Sequence, residues 1–376
     1  MSRTTPDTPF RFYDNRQKYL QFVTTTNEKW KVAERAAKEL SGLKPEPPAL
    51  RLFDAGVGDG TVLAHLMRAM HQQFPTIPFY IVGKEISLED VRLTLEKLGD
   101  RFIEHPQTVF VITNLHYSEA PTLQPNTDEK IDRMVFEYVE LEGTDSHTFG
   151  DQLRGMDNFM VQNWAVTRSE KTGNPIYETP VAMVVYRKDQ KFSLDGMIPR
   201  PTDHRADYDL IVASQPWRSR TATDFKVRRI LCPLSRSLRS HGVLLAIQSA
   251  GDDPALEIVQ QIWPDADPFP VDRHELLRAL HAELGDNVRD FDLMALPEET
   301  SRLQYQMHTL PSEIGSNIGT STLFAAWNAA IYVAQIEDQR VEEVARHGTY
   351  IEATADVLQR RGGLWFNDET FVIRKN

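Results

Sequence analysis

The sequence predicts an α/β protein with a doubly wound, mostly parallel sheet of seven strands. Two observations carry that expectation. Short apolar runs alternate with amphipathic helical runs over much of the chain, the pattern of a parallel sheet covered by helices on both faces. A glycine-rich turn follows the first strand run, at Ala55-Gly56-Val57-Gly58-Asp59-Gly60. The 376 residues, 41% hydrophobic and 26% charged, suffice for one large α/β domain with insertions or two modest ones.

The elements follow in order. Tyr13 to Leu40 reads as helical and is stopped at Lys44-Pro45-Glu46-Pro47-Pro48. Leu50 to Ala55 is the first strand; Val62, Leu66 and Met70 then repeat at helical spacing. Pro78 to Val82 is the second strand. Ser87 opens a helix with Asp90 three residues on, a capping-box-like start, and Val109 to Thr113 is the third strand. Ser118 to Arg205 breaks the rhythm and includes an expected hairpin of Val181 to Tyr186 with Lys191 to Leu194. The alternation resumes with strands at Asp209 to Ala213 and Val243 to Gln248, around a helix from Thr223 to Arg239 interrupted at Pro233. His274 to Leu284 is helical, Leu303 to His308 a strand, and Thr320 to Arg346 and Tyr350 to Arg361 helical. Gly362-Gly363 ends the last helix, and Leu364 to Ile373 closes the chain as a strand. The expected organisation is an N-terminal helical cap (1–48) and a main domain (49–376). Within that domain, 118–205 is an insertion serving as lid, dimer arm or substrate platform.

Composition and motifs narrow the function. Forty-two basic against 54 acidic residues leave a net charge of -12, which opposes a general grip on nucleic acid or anionic lipid. Cys232 is the single cysteine, so intrachain disulfides and multi-cysteine metal sites are excluded. The eleven histidines form no H-x-x-x-H pair, so no metal is expected. Met1 to Phe10 lacks the apolar core of a signal peptide. Thr322 to Ile336 is shorter than the ~18 residues of a membrane span, so a soluble, cytoplasmic chain is expected. There is no G-x-S-x-G elbow and no Gly-Lys-Ser/Thr after the glycine turn.

The glycine turn is the most informative segment. Alternate glycines let the backbone leave a strand sharply and approach a ligand closely, and the following helix directs free N–H groups there. Here, however, Asp54 precedes the turn and Asp59 lies inside it. Two carboxylates repel a pyrophosphate and suit a cationic ligand. Glu85, at the end of the second strand, can accept both hydroxyls of a ribose lying across the strand tips.

With these residues in order, the sequence resembles the class I S-adenosylmethionine-dependent methyltransferases. Phe53 to Gly60 resembles their first motif, Glu85 their second-strand acidic residue, and Asn114 the polar residue after the third strand. Tyr208 to Trp217 is similar to their fourth strand and the loop after it. The resemblance implies a Rossmann-like fold and S-adenosylmethionine as cofactor, held by Asp54, Gly56, Gly58, Gly60, Glu85, Ile86, Asn114 and Ser214. The chain ends are similar to histamine N-methyltransferase and its small-molecule relatives. Lys18 to Phe22 with Glu28 resembles the helix capping their amine site, and Leu364 to Ile373 resembles their closing strand, where Asn367 or Asp368 would meet the amine. Tyr19, Glu28, His116, Tyr117, Gln215, Trp217 and Asp368 are the implied substrate residues. The expected reaction is methyl transfer to a small-molecule acceptor, an amine among the candidates, with no general base assigned. Ser214-Gln215-Pro216-Trp217 also resembles the (Asp/Asn)-Pro-Pro-aromatic motif of amino-methyltransferases, which leaves open a nucleic-acid or protein acceptor. A non-catalytic S-adenosylmethionine-binding scaffold is a third reading, and a homodimer is compatible with all three.

Overall fold

Runs that are apolar at nearly every position need cover on both faces, and they form the middle of the sheet. The structure is a computed structural model, and it describes residues 16–169, 175–201, 203, 205–309, 311–315 and 318–376. In chain order the strands are β1 (Leu50–Asp54), β2 (Phe79–Lys84), β3 (Thr108–Thr113), β4 (Val135–Leu141), β5 (Val166–Arg168), β6 (Pro175–Tyr177), β7 (Val181–Arg187), β8 (Tyr208–Ser214), β9 (Leu238–Ser249), β10 (Phe291–Met294), β11 (Arg302–Gln306) and β12 (Trp365–Lys375). Ten of them form one sheet in the order β10-β12-β9-β8-β1-β2-β3-β7-β4, with β11 also paired to β12; β5 and β6 form a separate hairpin.

The central run β3-β2-β1-β8-β9 is wholly parallel. The chain winds outward from β1 to β3, then returns to the other side of β1 at β8. The strand order therefore reverses between β1 and β8, opening a crevice at their carboxyl ends. β12 runs antiparallel to β9, so its early residues lie at that same edge, with Asp368 opposite Ser249.

Alternation sorts the side chains. Leu52, Ile81, Phe110 and Val212 face α2 (Glu28–Leu40) and α3 (Thr61–Gln73), whereas Phe53, Val82, Val111 and Ile211 face the helices Cys232–Arg236 and Arg273–Leu284. A third apolar cluster joins α1 (Arg16–Thr25) to the helices Pro254–Ile262, Thr320–Val333 and Thr349–Arg361. Burial of each large side chain contributes about 1.5–3 kcal/mol. The cap is thus anchored by the same force as the core. Among the described residues no helix is long and apolar enough to cross a membrane.

Several expectations are corrected. The sheet has ten strands, because the insertion adds β7 antiparallel to β3 and β4 parallel to β7, while β10 and β11 share the outer edge of β12. Lys191–Leu194 is a helical turn, so the expected hairpin does not form and β7 takes its partners from β3 and β4. The N-terminal helical run is two helices, broken where Thr26 bridges Met307; Met1 to Asn15, which include Tyr13, lie outside the described residues. Thr320 to Arg346 likewise divides, at 334–337, into Thr320–Val333 and Asp338–Ala345. Pro233 does not end its helix; a π-helical turn, Val227–Leu231, immediately precedes it.

At the opposite end of the sheet from the crevice, His105 stacks on Phe79 at 3.6 Å between ring centroids. Its Nε2 lies 2.9 Å from the Ile77 carbonyl and its Nδ1 lies 3.0 Å from His71 Nδ1. Nε2 therefore carries the proton, and Nδ1 accepts from His71. Burial depresses the His105 pKa to about 4. The unfolded chain binds this proton first, so the associated stability is present above about pH 6.5 and is lost as pH falls toward 4, by at most about 3 kcal/mol. His105→Phe keeps the stack and is expected to flatten this part of the dependence, as read by urea unfolding at pH 5 and pH 7. An unchanged difference between the two pH values would refute the assignment.

Candidate functional site

The site is built from the strand tips upward. The turn after β1 places Gly58 at φ +56° and Gly60 at φ +78°, left-handed conformations that glycine adopts without strain. A Cβ at Gly60 would lie 2.8 Å from the Thr94 Cα, so the turn sits directly on α4 (Leu88–Glu96). Asp59 accepts from the Thr61 amide at 3.3 Å and from its hydroxyl at 2.6 Å, which answers the start of α3 with a carboxylate. Lys97 reaches the Asp59 carbonyl at 2.6 Å. Asp54 Oδ1 accepts from the Gly56 amide at 3.1 Å. Burial raises the Asp54 pKa to about 6, with Glu85 adding to the rise and the Gly56 amide and Lys29 opposing it.

Glu85 stands across the turn. Oε2 accepts from the Gly58 amide at 2.9 Å, and Oε1 accepts from the amides of Ile86 and Ser87, each at 2.8 Å. The carboxylate thus clamps the glycine turn to the tip of β2. Ser87 caps α4 by accepting from the Asp90 amide. Trp164, from the insertion, is buried and donates its indole N–H to the Glu85 carbonyl at 3.0 Å. Tyr186, by contrast, belongs to the core beneath the sheet.

The two rims of the crevice are joined. Tyr117, after β3, donates to the Pro216 carbonyl after β8 at 2.8 Å, and Lys84 lies 4.8 Å from its ring. Burial, aided by Glu85 and Asp54, raises its phenol pKa, so it stays a donor. His116 gives its backbone amide to Glu119 at 3.1 Å and packs its ring on Tyr177; burial lowers its pKa. Asn114 is not free for a ligand. Its amide donates to the Thr179 carbonyl at 2.8 Å and its Oδ1 accepts from the Val181 amide at 2.9 Å, so it ties β3 to the incoming β7.

Above the turn lies the cap. The Tyr19 hydroxyl would be 2.8 Å from a Cβ on Gly58, and it receives the Asp59 amide at 3.4 Å. Arg16 pairs with Glu89, and Lys18 with Asp338. Ser214 lies beside Gly56, its carbonyl 4.0 Å from a Cβ placed there. Gln215 exchanges hydrogen bonds with Ser249, at 3.1 Å to its hydroxyl and 3.3 Å from its amide. Trp217 is locked: its indole donates to Gln248 Oε1 at 2.9 Å, and Lys226 lies 5.7 Å from its ring. Gln248 in turn donates to Glu369, which is paired with Arg273 at 2.9 Å.

The most unusual feature is Asp368. It is fully buried, and neither carboxylate oxygen makes a well-formed hydrogen bond, although the Ser249 hydroxyl and the Gln215 amide lie close enough to favour its charged form slightly. Glu28, at the start of α2, is 3% exposed, and its Oε2 is likewise buried without a hydrogen bond, with only the Lys29 ammonium at 3.3 Å. Burial, then the charge of Glu28, drives the Asp368 pKa well above the ordinary range. Aromatic rings pack alongside: Tyr305 on Phe366 at 5.1 Å, and Phe22 on Tyr332 at 5.1 Å. Both carboxylates bear on Tyr305. Asn367 is committed elsewhere, donating to the Asp252 carbonyl at 2.7 Å.

The structure therefore brings Tyr19, Glu28, Tyr117, Gln215 and Asp368 to one edge with the glycine turn and Glu85. It commits Asn114 and Trp217 to internal bonds. Sequence reasoning missed Lys29 and treated Tyr332 as core packing alone. The adjacency of Lys29 to Glu28, just past a helix break, is the available signal. No cluster of three metal-ligating side chains exists among the described residues.

The fold and site define a doubly wound α/β protein with an acidic crevice at the switch point between β1 and β8. No protein-family model and no curated protein matches the chain. Several solved structures resemble it weakly, three of them as follows. Geranyl diphosphate methyltransferase, in complex with GPP and sinefungin, is 12% identical over 91% of this chain and 77% of its own, at a TM-score of 0.34. A putative sarcosine dimethylglycine methyltransferase from Galdieria sulphuraria is 9% identical over 98% and 92%, at 0.37. Haemonchus contortus phosphoethanolamine N-methyltransferase 2, in complex with S-adenosyl-L-methionine, is 10% identical over 98% and 60%, at 0.31.

Proposed function

We propose that the protein is an S-adenosylmethionine-dependent methyltransferase whose acceptor is a small-molecule amine. The single observation that carries the acceptor is the neighbouring pair Glu28 and Asp368, in which Glu28 Oε2 and both Asp368 oxygens are buried without a well-formed hydrogen bond. A buried carboxylate with no donor is costly, and an ammonium supplies both the opposite charge and the missing N–H groups. The aromatic rings around the pair favour the same cation.

The residues present fit the cofactor. Gly56 leaves room for close backbone approach, whereas the space over Gly58 is held by the movable Tyr19 hydroxyl and that over Gly60 by Thr94. Glu85 and Ile86, at the tip of β2, are the residues that would meet the ribose and adenine, and Asp54, Asp59 and Glu85 make the crevice attractive to a sulfonium. When bound, the cofactor supplies an electrophilic methyl group. The chain's own contribution is alignment and proton handling. Asp368, protonated in the ligand-free fold, releases its proton when the cation enters. Glu28 and Asp368 then hold the acceptor nitrogen, and one of the two takes a proton from it, which frees the lone pair that forms the new bond. Tyr19 and Tyr117 close the crevice over the turn and between its rims, which keeps water out. The insertion serves as a wall beside Glu85, through Trp164, and as an extension of the sheet.

The nucleobase-type reading of Gln215-Pro216-Trp217 is not favoured, because Trp217 is held by Gln248 and Lys226 and Gln215 by Ser249. Thermal shift with S-adenosylmethionine and S-adenosylhomocysteine tests the cofactor. Wild type is expected to be stabilised by both, and Glu85→Ala at least tenfold less tightly bound. Amine acceptors should then release S-adenosylhomocysteine. Turnover confined to carboxylate or phenol acceptors would eliminate the amine, and binding without any turnover would leave a scaffold.

A further inference from the structure

The insertion moves one edge of the sheet outward, and the new edge lacks the features that keep such edges apart. β4 is the last strand on that side. It is seven residues long, pairs with β7 in unbroken register, and contains no proline, glycine or lysine. Edge strands of soluble proteins are ordinarily shortened, bulged or studded with lysine or proline, because unpaired backbone groups recruit another strand. The nearby lysines do not guard β4: Lys191 is drawn onto Glu140 at 2.5 Å, and Lys188 onto Glu142. Phe136 and Tyr138 stack along the strand at 6.4 Å, and Tyr138 is 37% exposed. Phe192, next to Lys191, is 98% exposed, and nothing within one copy of the chain explains it.

The direction of the backbone groups decides what fits there. The Val135 amide donates to the Pro180 carbonyl, so Val135, Glu137, Val139 and Leu141 turn their backbone groups to β7. Phe136, Tyr138 and Glu140 turn theirs outward, and among the described residues these find no backbone partner. We propose that β4 pairs antiparallel with β4 of a second copy of this chain, about a two-fold axis at Tyr138. In that register Tyr138 meets itself and Phe136 meets Glu140 in both directions, so every outward amide and carbonyl is satisfied. No two carboxylates are opposed, because Glu137 meets Val139. The neighbouring registers fail. A shift one way sets Glu137 against Glu137. A shift the other way sets Phe136 against Glu142, whose amide and carbonyl are already taken by Gln152. Lys191 ties Phe192 to the Glu140 end of the strand, so the same two-fold brings Phe192 beside Phe136 of the second copy. The pairing closes on itself, since each copy offers one β4 edge.

The interface is independent of the cofactor and of the acceptor. The test is sedimentation equilibrium of wild type, Tyr138→Pro and Phe192→Ser over a micromolar concentration series, together with hydrogen exchange of the wild type. Proline at 138 removes an outward N–H and leaves the bonds to β7 in place. Wild type is expected to be a dimer, with exchange in Val135–Leu141 slowing as concentration rises. Phe192→Ser should weaken the dimer roughly tenfold, and Tyr138→Pro should leave a monomer with the circular dichroism of wild type. If Tyr138→Pro does not fold, Phe192→Ser, altered at a side chain that stands in solvent, and the exchange of the wild type still decide. A wild type that stays monomeric through the series, a dimer undiminished in the variants, or exchange in Val135–Leu141 that ignores concentration would overturn the assignment.

Discussion

Asp368→Asn is expected to make the ligand-free protein more stable while removing most of its amine turnover. Asp368 is fully buried with neither oxygen in a well-formed hydrogen bond, and burial together with Glu28 holds its pKa well above that of the unfolded chain, against a small opposing effect of Ser249 and Gln215. The sign follows from linkage. Above the ordinary carboxylate range the unfolded chain has released this proton and the folded chain retains it, so the stability linked to that proton is present at low pH and lost as pH rises. The amide does not titrate and fits the same space. A gain of about 0.5–2 kcal/mol near pH 7 is expected in urea unfolding, together with loss of this pH dependence. Activity moves the other way. With the amine bound, Asp368 ionises against it, and removing that charge from a buried, desolvated pair costs about 2–5 kcal/mol of binding, or about 30- to 4,000-fold in kcat/KM for the amine. Glu28→Gln should show a loss of the same order, and the double variant should lose less than the sum, because both carboxylates hold one nitrogen. A variant that is destabilised and still turns over amines would remove the acceptor proposal.

Gly58→Val is expected to abolish cofactor binding. The residue has φ +56°, where a β-branched side chain is strained, and its Cβ would lie 2.8 Å from the Tyr19 hydroxyl. The strain alone costs about 1–3 kcal/mol. Relief requires the turn to rotate, which breaks the 2.9 Å bond from the Gly58 amide to Glu85 and moves the cap resting on it. Thermal shift should therefore show a lower melting temperature and no further rise with S-adenosylhomocysteine. Gly196→Ala is the matched control, since a Cβ there meets nothing within 4 Å. Retained cofactor stabilisation in Gly58→Val would mean that the turn does not carry the ligand.

Much of this frame was legible without coordinates. The parallel core from β1 to β9 was, because strands covered on both faces must be apolar throughout, and such runs stand out between amphipathic helices. The Ser87 cap and the Gly362 terminator were also legible, since each is a local rule: a hydroxyl answers an amide three residues on, and glycine adopts φ +72° at the helix end. Asp54, the glycines and Glu85 were recognisable because their chemistry follows from order along the chain. The Lys191 to Leu194 strand was not legible, because a short polar-apolar run suits a helical turn equally well and only the partners of β7 decide between them.

Sequence by itself determined the alternation, the acidic glycine turn and the short list of polar residues near it, because these depend on neighbours within a few positions. Tertiary structure alone decided which of those polar residues stay available. Asn114 is consumed by Thr179 and by Val181 at the start of β7, Trp217 by Gln248, and Asn367 by the Asp252 carbonyl, whereas Asp368, the next residue along, turns to the other face of β12 and makes no well-formed hydrogen bond. A hydrogen bond between distant segments leaves no trace in local pattern, and in a buried site that bond decides whether a polar side chain holds the fold or remains open to a ligand.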